Sequence, residues 1–165
     1  MEMIYPGNPK LDLAFERIVD LKPEEIWKAW TDPKLLTQWF TPKPWKTAEA
    51  HLDVRPGGAF ATIMESPEGQ RFPNTGCYLE IVPNRKLVWT SALTSDFRPQ
   101  VKPENGADLS LTAAIILEPK GNGTLYRAMA MHADETSCKA HADMGFEQGW
   151  GTALDQLIEL MKARR

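Results

Sequence analysis

The chain has 165 residues, of which 42% are hydrophobic and 25% charged, and its formal net charge is -3. This composition is typical of a soluble globular protein, and we expect residues 1–165 to form a single domain. The scattered lysines and arginines argue against a nucleic-acid partner and against binding to a membrane surface. The sequence has neither a signal-peptide pattern nor a run of 18 apolar residues, so we expect a cytoplasmic protein.

The N-terminal part of the chain predicts one strand followed by two short helices. Alternation of apolar residues indicates a strand over 11–20. Helical spacing follows over 22–30, where Pro23 and two glutamates occupy the first turn. Residues 32–40 begin with an aspartate and a proline, a pair typical of the start of a second short helix.

Residues 45–132 have the pattern of an antiparallel meander of six strands. Short alternating stretches are separated by turn residues, and a longer loop, 95–108, precedes the last two strands. The predicted strands are 45–54, 59–65, 76–82, 86–94, 109–117 and 125–132. The long loop is compatible with a lid and with a partner surface, and the sequence does not separate these roles.

The last element is predicted as one long helix over about 134–163. Its first half contains Gly145, Gly149 and Gly151, and each glycine in a helix interior costs roughly 1 kcal/mol relative to alanine. Two explanations stay open. Either glycines on the helix flanks let the sheet come close or leave room for another molecule, or the first turns are irregular and the helix proper begins near Trp150.

Four segments of this β-α-α-β6-α arrangement resemble a known family. They are PEEIWKAWTDPKLLTQWF, DVRPGGAF, GCYLEIVPNRKLVWT and MGFEQGWGTALDQL. They are similar to the START, Bet v 1 and polyketide-cyclase group (the SRPBCC superfamily), and most of all to bacterial proteins related to the C-terminal domain of the activator of the Hsp90 ATPase. The resemblance implies an α+β helix-grip fold, in which a curved seven-strand antiparallel sheet wraps around the C-terminal helix.

The resemblance also implies a deep cavity between the sheet and the helix, which the superfamily uses elsewhere for lipids, sterols, hormones or polyketides. We therefore expect the chain to bind a small apolar or amphipathic molecule, without covalent chemistry and without a cofactor. Two alternatives stay open: a cyclase or hydrolase that uses a pocket carboxylate or tyrosine, with Tyr78, Glu80 or Arg127 facing inward, and a stress-related module that binds a chaperone. The sequence is compatible with a homodimer and does not identify the ligand.

Alternation and helical phase predict the side chains that line this cavity. On the strand 109–117, the inner face should carry Leu109 and every second residue to Leu117, while the inner face of 125–132 remains undecided. The candidate ligand-binding residues are Trp39, Phe40, Trp45, Phe60, Met64, Trp89, Met129, Phe146 and Trp150. The first three flank 41–44, beside the expected mouth, and are candidates for a gate; packing in the core is the competing interpretation.

His132, Cys138 and His141 lie within ten residues of one another and invite interpretation as a metal site. Their spacing matches no common zinc pattern. Helical phase also places His141 on the polar face of the last helix, away from the sheet. The chain has no nucleophile motif with a base beside it, so we predict neither a metal site nor a catalytic residue.

Overall fold

The structure, a computed structural model, describes residues 7–101 and 110–165. Its strands are β1 (Asp12–Val19), β2 (Lys46–Leu52), β3 (Ala59–Glu65), β4 (Arg71–Val82), β5 (Lys86–Thr90), β6 (Leu93–Thr94), β7 (Arg98–Pro99), β8 (Leu111–Lys120) and β9 (Gly123–His132). Within these residues, seven strands form one antiparallel sheet in the order β1-β9-β8-β5-β4-β3-β2, and β6 and β7 form a separate two-stranded ribbon.

Two short helices, α1 (Pro23–Thr31) and α2 (Pro33–Leu36), connect β1 to β2. Each begins at a proline, whose fixed φ suits the first helical turn. The Lys22 N–H donates to the Glu25 carboxylate at 2.8 Å, and the Asp32 carboxylate accepts from the Lys34 N–H at 3.0 Å. These bonds pair N–H groups at the two helix starts, which explains why the short helices form where the sequence predicts them.

The C-terminal segment forms two helices, α3 (Glu135–Asp143) and α4 (Phe146–Ala163), so the prediction of one long helix is wrong. The break lies at Gly145, whose φ of 90° is in the left-handed region. Glycine adopts this conformation at little cost, whereas other residues rarely do, and it is a common way for a helix to end. Helix α4 begins at Phe146, four residues before the start near Trp150 that the irregular-turn explanation would give, so Gly149 and Gly151 both lie inside it. No helix in the two described ranges is long and apolar enough to span a membrane.

Helix α4 packs into the concave face of the sheet through side chains such as Leu154 and Leu157, which are fully buried. This arrangement confirms the helix-grip fold and the seven-strand sheet. Burying each of these leucines contributes about 1.5–3 kcal/mol. The strand boundaries differ from prediction mainly in β4, which begins at Arg71 with exposed residues, and in β5, which ends at Thr90. The loop predicted over 95–108 contains β7, and its last seven residues lie outside the described part of the chain.

Strand register determines which side chains face α4. Ala113 of β8 pairs with Trp89 on one side and Ala130 on the other, so these residues share the inner face. The predicted inner face of β8 is thereby confirmed for its described residues, whereas Leu109 lies outside them. On β9, the undecided strand, the inner face carries Tyr126 and Ala128. Met129 lies on the outer face, opposite Ala114 of the neighbouring strand.

Candidate functional site

A cavity of about 410 Å³ lies between the concave face of the sheet, α4 and the segment that follows α2. Most of its wall is apolar, as in most small-molecule sites. The lining residues are Trp30, Trp39, Phe40, Thr41, Pro42, Met64, Trp89, Tyr126, His141, Met144, Gly145, Phe146, Gly149, Trp150 and Ala153. The cavity opens to solvent beside Met144, whose side chain lines it and is 74% exposed.

Packed aromatic rings form the wall on the side of the sheet and α1. The ring of Trp89 stacks on Phe60 at 5.0 Å and lies 5.3 Å from Trp30, which in turn meets Trp39 edge to face at 4.8 Å. The Trp39 indole N–H donates to the Ala29 carbonyl at 3.0 Å. Edge-to-face and offset contacts of this kind stabilise a fixed arrangement, so this wall is preformed.

The wall on the side of α4 contains the space that its glycines leave. A Cβ at Gly149 would have no atom within 4 Å outside its own helix, and the residue borders the cavity. Gly151 differs, because a Cβ there would lie 4.0 Å from a guanidinium nitrogen of Arg17. Of the two explanations for the glycines, room for another molecule therefore fits Gly149, and a helix break fits Gly145.

One side chain of α4 holds the segment 39–43, which carries four of the lining residues. The Gln156 amide nitrogen donates to the Trp39 and Thr41 carbonyls, both at 2.9 Å, and its amide oxygen accepts from the Lys43 N–H at 3.0 Å. The buried hydroxyls of Thr41 and Thr47 also bond each other at 2.6 Å, which ties the segment to β2. These bonds fix one side of the cavity in place.

His141 lies on the cavity wall and is 9% exposed, so the prediction that it points away from the sheet is wrong. The helix breaks at Gly145, so α3 and α4 do not share one axis. Counting about 100° per residue from α4 back into α3 therefore assigns His141 to the wrong face. The His141 Nδ1 lies 2.9 Å from Nε2 of His132, whose own Nδ1 lies 2.9 Å from the Leu11 carbonyl. The two imidazoles thus form a hydrogen-bonded pair anchored to the backbone next to β1.

Lowering the pH below about 6.5 is expected to reduce the free energy of unfolding through His141. Burial and the nearby His132 hold the pKa of His141 below its ordinary value of 6.5. Between the folded and the unfolded pKa, the unfolded chain therefore binds more protons, and stability falls by at most about 1.4 kcal/mol per pH unit. Urea unfolding across this pH range, compared with His141→Asn, measures the effect. Equal pH slopes in the two proteins would contradict it.

Two further polar groups lie within the apolar wall. The Trp30 indole nitrogen is buried and has no hydrogen-bond partner among the described residues. The Tyr126 hydroxyl lies beside it, close enough for the N–H to favour the ionised phenol, although the two groups lack hydrogen-bond geometry. Burial outweighs that influence and raises the pKa of Tyr126 well above 10, so its hydroxyl stays protonated at neutral pH.

The structure brings six of the nine candidate ligand-binding residues together around the cavity. These are Trp39, Phe40, Met64, Trp89, Phe146 and Trp150. Phe60 lies behind the wall and packs on Trp89, and Trp45 packs on Phe72 at 5.7 Å, away from the lining. Met129 is on the opposite face of the sheet. Of the gate candidates, Trp39 and Phe40 are therefore wall residues, whereas Trp45 is outside the cavity.

Of the candidate acid–base and metal-binding groups, His141 lines the cavity and the others do not. Tyr78 does face inward, opposite Trp89, but it packs on Phe60 at 5.2 Å behind the wall. Glu80 pairs with Lys86 at 2.6 Å and Arg127 with Glu16 at 3.0 Å on the outer face of the sheet. Cys138 is buried beside a separate depression lined by residues of α3 and the start of β1. Sequence reasoning missed three lining residues that matter chemically, Trp30, Tyr126 and His141.

Comparison with known proteins relates this architecture to one family. The family described as Activator of Hsp90 ATPase homolog 1-like protein matches residues 20–162. The crystal structure of a Nitrosomonas europaea protein is similar at 43% identity and a TM-score of 0.90, covering 96% of this chain and 98% of that one. A Rhodobacter sphaeroides protein shares the fold at 23% identity and a TM-score of 0.80, covering 99% of both chains. No curated protein matches the chain.

Proposed function

The chain belongs to the Activator of Hsp90 ATPase homolog 1-like family, whose fold typically binds hydrophobic ligands, and we propose that it binds a small, mainly apolar molecule in the cavity under α4. The observation that carries this proposal is the space beside Gly149, which faces a wall of packed aromatic rings. The volume of about 410 Å³ is in the range of known ligand pockets. A molecule of two or three fused rings would fit it.

The lining also favours binding over covalent chemistry. None of the described lining residues carries a carboxylate or a thiol, and burial raises the pKa of Tyr126 still further above neutral pH, which disfavours a phenolate in the cavity. Catalysis by a pocket carboxylate would need a group such as Glu80, which is paired with Lys86 on the far side of the sheet. These placements support a carrier or sensor of an apolar compound.

Native mass spectrometry of the freshly purified protein, followed by organic extraction, is the first test. We expect a discrete adduct of a few hundred daltons, or an empty protein that takes up 2-methylnaphthalene with one-to-one stoichiometry in calorimetric titration. Tryptophan emission should change on binding, since Trp30, Trp89 and Trp150 all line the cavity. A protein that carries no adduct and binds neither one-ring, two-ring nor three-ring apolar compounds would contradict the proposed function.

A further inference from the structure

We infer that the ligand of this cavity is an uncharged apolar molecule with a hydroxyl group, and that this hydroxyl donates a hydrogen bond to Nε2 of His141. The inference rests on the proposed function and adds the chemical class of the ligand. The directions of the two hydrogen bonds in the histidine pair determine which ring nitrogen carries a free lone pair.

The proton positions in the pair follow from its anchor. A carbonyl oxygen can only accept, so the 2.9 Å contact with Leu11 requires a proton on Nδ1 of His132. In a neutral ring, Nε2 of His132 is then an acceptor, and the 2.9 Å contact with His141 requires a proton on Nδ1 of His141. With both rings neutral, the remaining nitrogen, Nε2 of His141, has a lone pair and no proton.

This lone pair has no partner within the part of the chain that the structure describes. His141 lines the cavity, and its ring is held between His132 and the rings of Phe146 and Trp150, at centroid distances of 5.3 and 6.3 Å from the latter two. When a ligand fills the cavity and shuts this nitrogen off from water, an acceptor left without a donor costs about 1–3 kcal/mol. A hydrocarbon ligand would leave that acceptor unpaired, whereas a hydroxyl would satisfy it.

The charge of the lining argues for a neutral ligand. Among the described lining residues there is no lysine, arginine, aspartate or glutamate. The unprotonated Nε2 of His141 cannot donate to an anion. An anionic ligand would therefore have to bind together with a proton, or its charge would remain without a partner in an apolar site, which is costly. The indole N–H of Trp30, which is buried and lacks a partner among the described residues, lies within the wall and does not reach the cavity surface. The acceptor that faces the ligand is Nε2 of His141, and it suits a molecule that is not a pure hydrocarbon.

Three two-ring probes of nearly equal size test the inference in calorimetric titrations: 2-naphthol, 2-methylnaphthalene and 2-naphthoate. The proteins are the wild type, His141→Asn and His141→Phe. The asparagine amide can still donate to His132 while removing Nε2 from the cavity, and phenylalanine keeps the ring but no polar atom. The affinity ratio of 2-naphthol to 2-methylnaphthalene is compared between the wild type and each variant. The different hydration of the two probes is the same for every protein and cancels in that comparison.

The ratio is expected to fall by about tenfold in both variants, the effect of one buried hydrogen bond, and 2-naphthoate is expected to bind weakest to the wild type. Long-range ¹H–¹⁵N spectra of the wild type should show His141 protonated at Nδ1 and unprotonated at Nε2. An unchanged ratio, tighter binding of 2-naphthoate, or a proton on Nε2 would overturn the inference and leave the proposed function intact. Failure of all three probes to bind would overturn the inference, and it would overturn the proposed function as well if the protein carries no adduct and binds no one-ring or three-ring apolar compound.

Discussion

Replacing Gly149 with leucine is expected to abolish binding of two-ring ligands and at the same time to raise the free energy of unfolding. The new side chain would enter the open space beside Gly149 and occupy the cavity that a ligand needs. A helix-interior glycine costs roughly 1 kcal/mol relative to alanine, so removing it stabilises α4. We expect a gain of about 1 kcal/mol in urea unfolding and a loss of affinity for 2-methylnaphthalene of more than about tenfold.

Two control variants separate the cavity from the helix. Gly151→Ala removes a glycine from the same helix at a position outside the lining, so it should stabilise the protein by a similar amount without changing affinity. Thr152→Leu places the same leucine on an exposed position of α4; it should leave the affinity unchanged and raise stability by less than Gly149→Leu, because threonine is a better helix former than glycine. Wild-type affinity in Gly149→Leu would show that the ligand binds elsewhere.

The opposite effects expected at Gly149 explain why the sequence shows a helix with an unfavourable residue in its interior. Natural proteins commonly keep such local costs at functional sites. The helical pattern shows that Gly145 and Gly149 are unfavourable in a helix, but it does not show that the two glycines are present for different reasons. Gly145 has a backbone conformation that other residues rarely adopt, whereas Gly149 is helical and lacks only a side chain. That distinction depends on neighbouring atoms and could not be read from spacing.

The sheet could be predicted where its two faces differ in character. On β8 the inner face carries Ala113, Ile115 and Leu117 and the outer face includes Thr112, so alternation assigned the faces correctly. On β9 both faces carry buried apolar side chains, since Met129 is buried on the outer side and Ala128 on the inner side, and both also carry a polar one, Arg127 outside and His132 inside. Polarity then carries no information about the face, and Met129 was placed in the site although it lies across the sheet.

The missed histidine had a signal in the sequence. A glycine just past the last turn of a helix is a common helix end, and Gly145 has that position after α3, which stops at Asp143. Ending the helix there would have removed the reason for placing His141 on the outer face. The contact between His141 and His132 could still not have been predicted, because it depends on how α3 packs against β9.

Substituting Gln156 with leucine is expected to lower the free energy of unfolding by about 2–3 kcal/mol and to speed ligand release. The change removes three hydrogen bonds at once and leaves the Trp39 and Thr41 carbonyls and the Lys43 N–H without their partner. Because this segment carries one side of the cavity wall, its loosening should raise the dissociation rate of 2-naphthol more than it lowers the association rate. Urea unfolding and stopped-flow tryptophan fluorescence measure the two effects.

The glutamate variant of the same residue tests whether the directions of these bonds matter. Gln156→Glu keeps an acceptor for the Lys43 N–H but loses both donated bonds and places a carboxylate against the Trp39 and Thr41 carbonyls, so it should destabilise at least as much as leucine at neutral pH. Acidification should restore part of the loss, since a protonated carboxyl can donate once. Gln148→Leu, on an exposed position of α4, is the matched control. If Gln156→Leu unfolded no more easily than that control, these hydrogen bonds would not be what holds the wall closed.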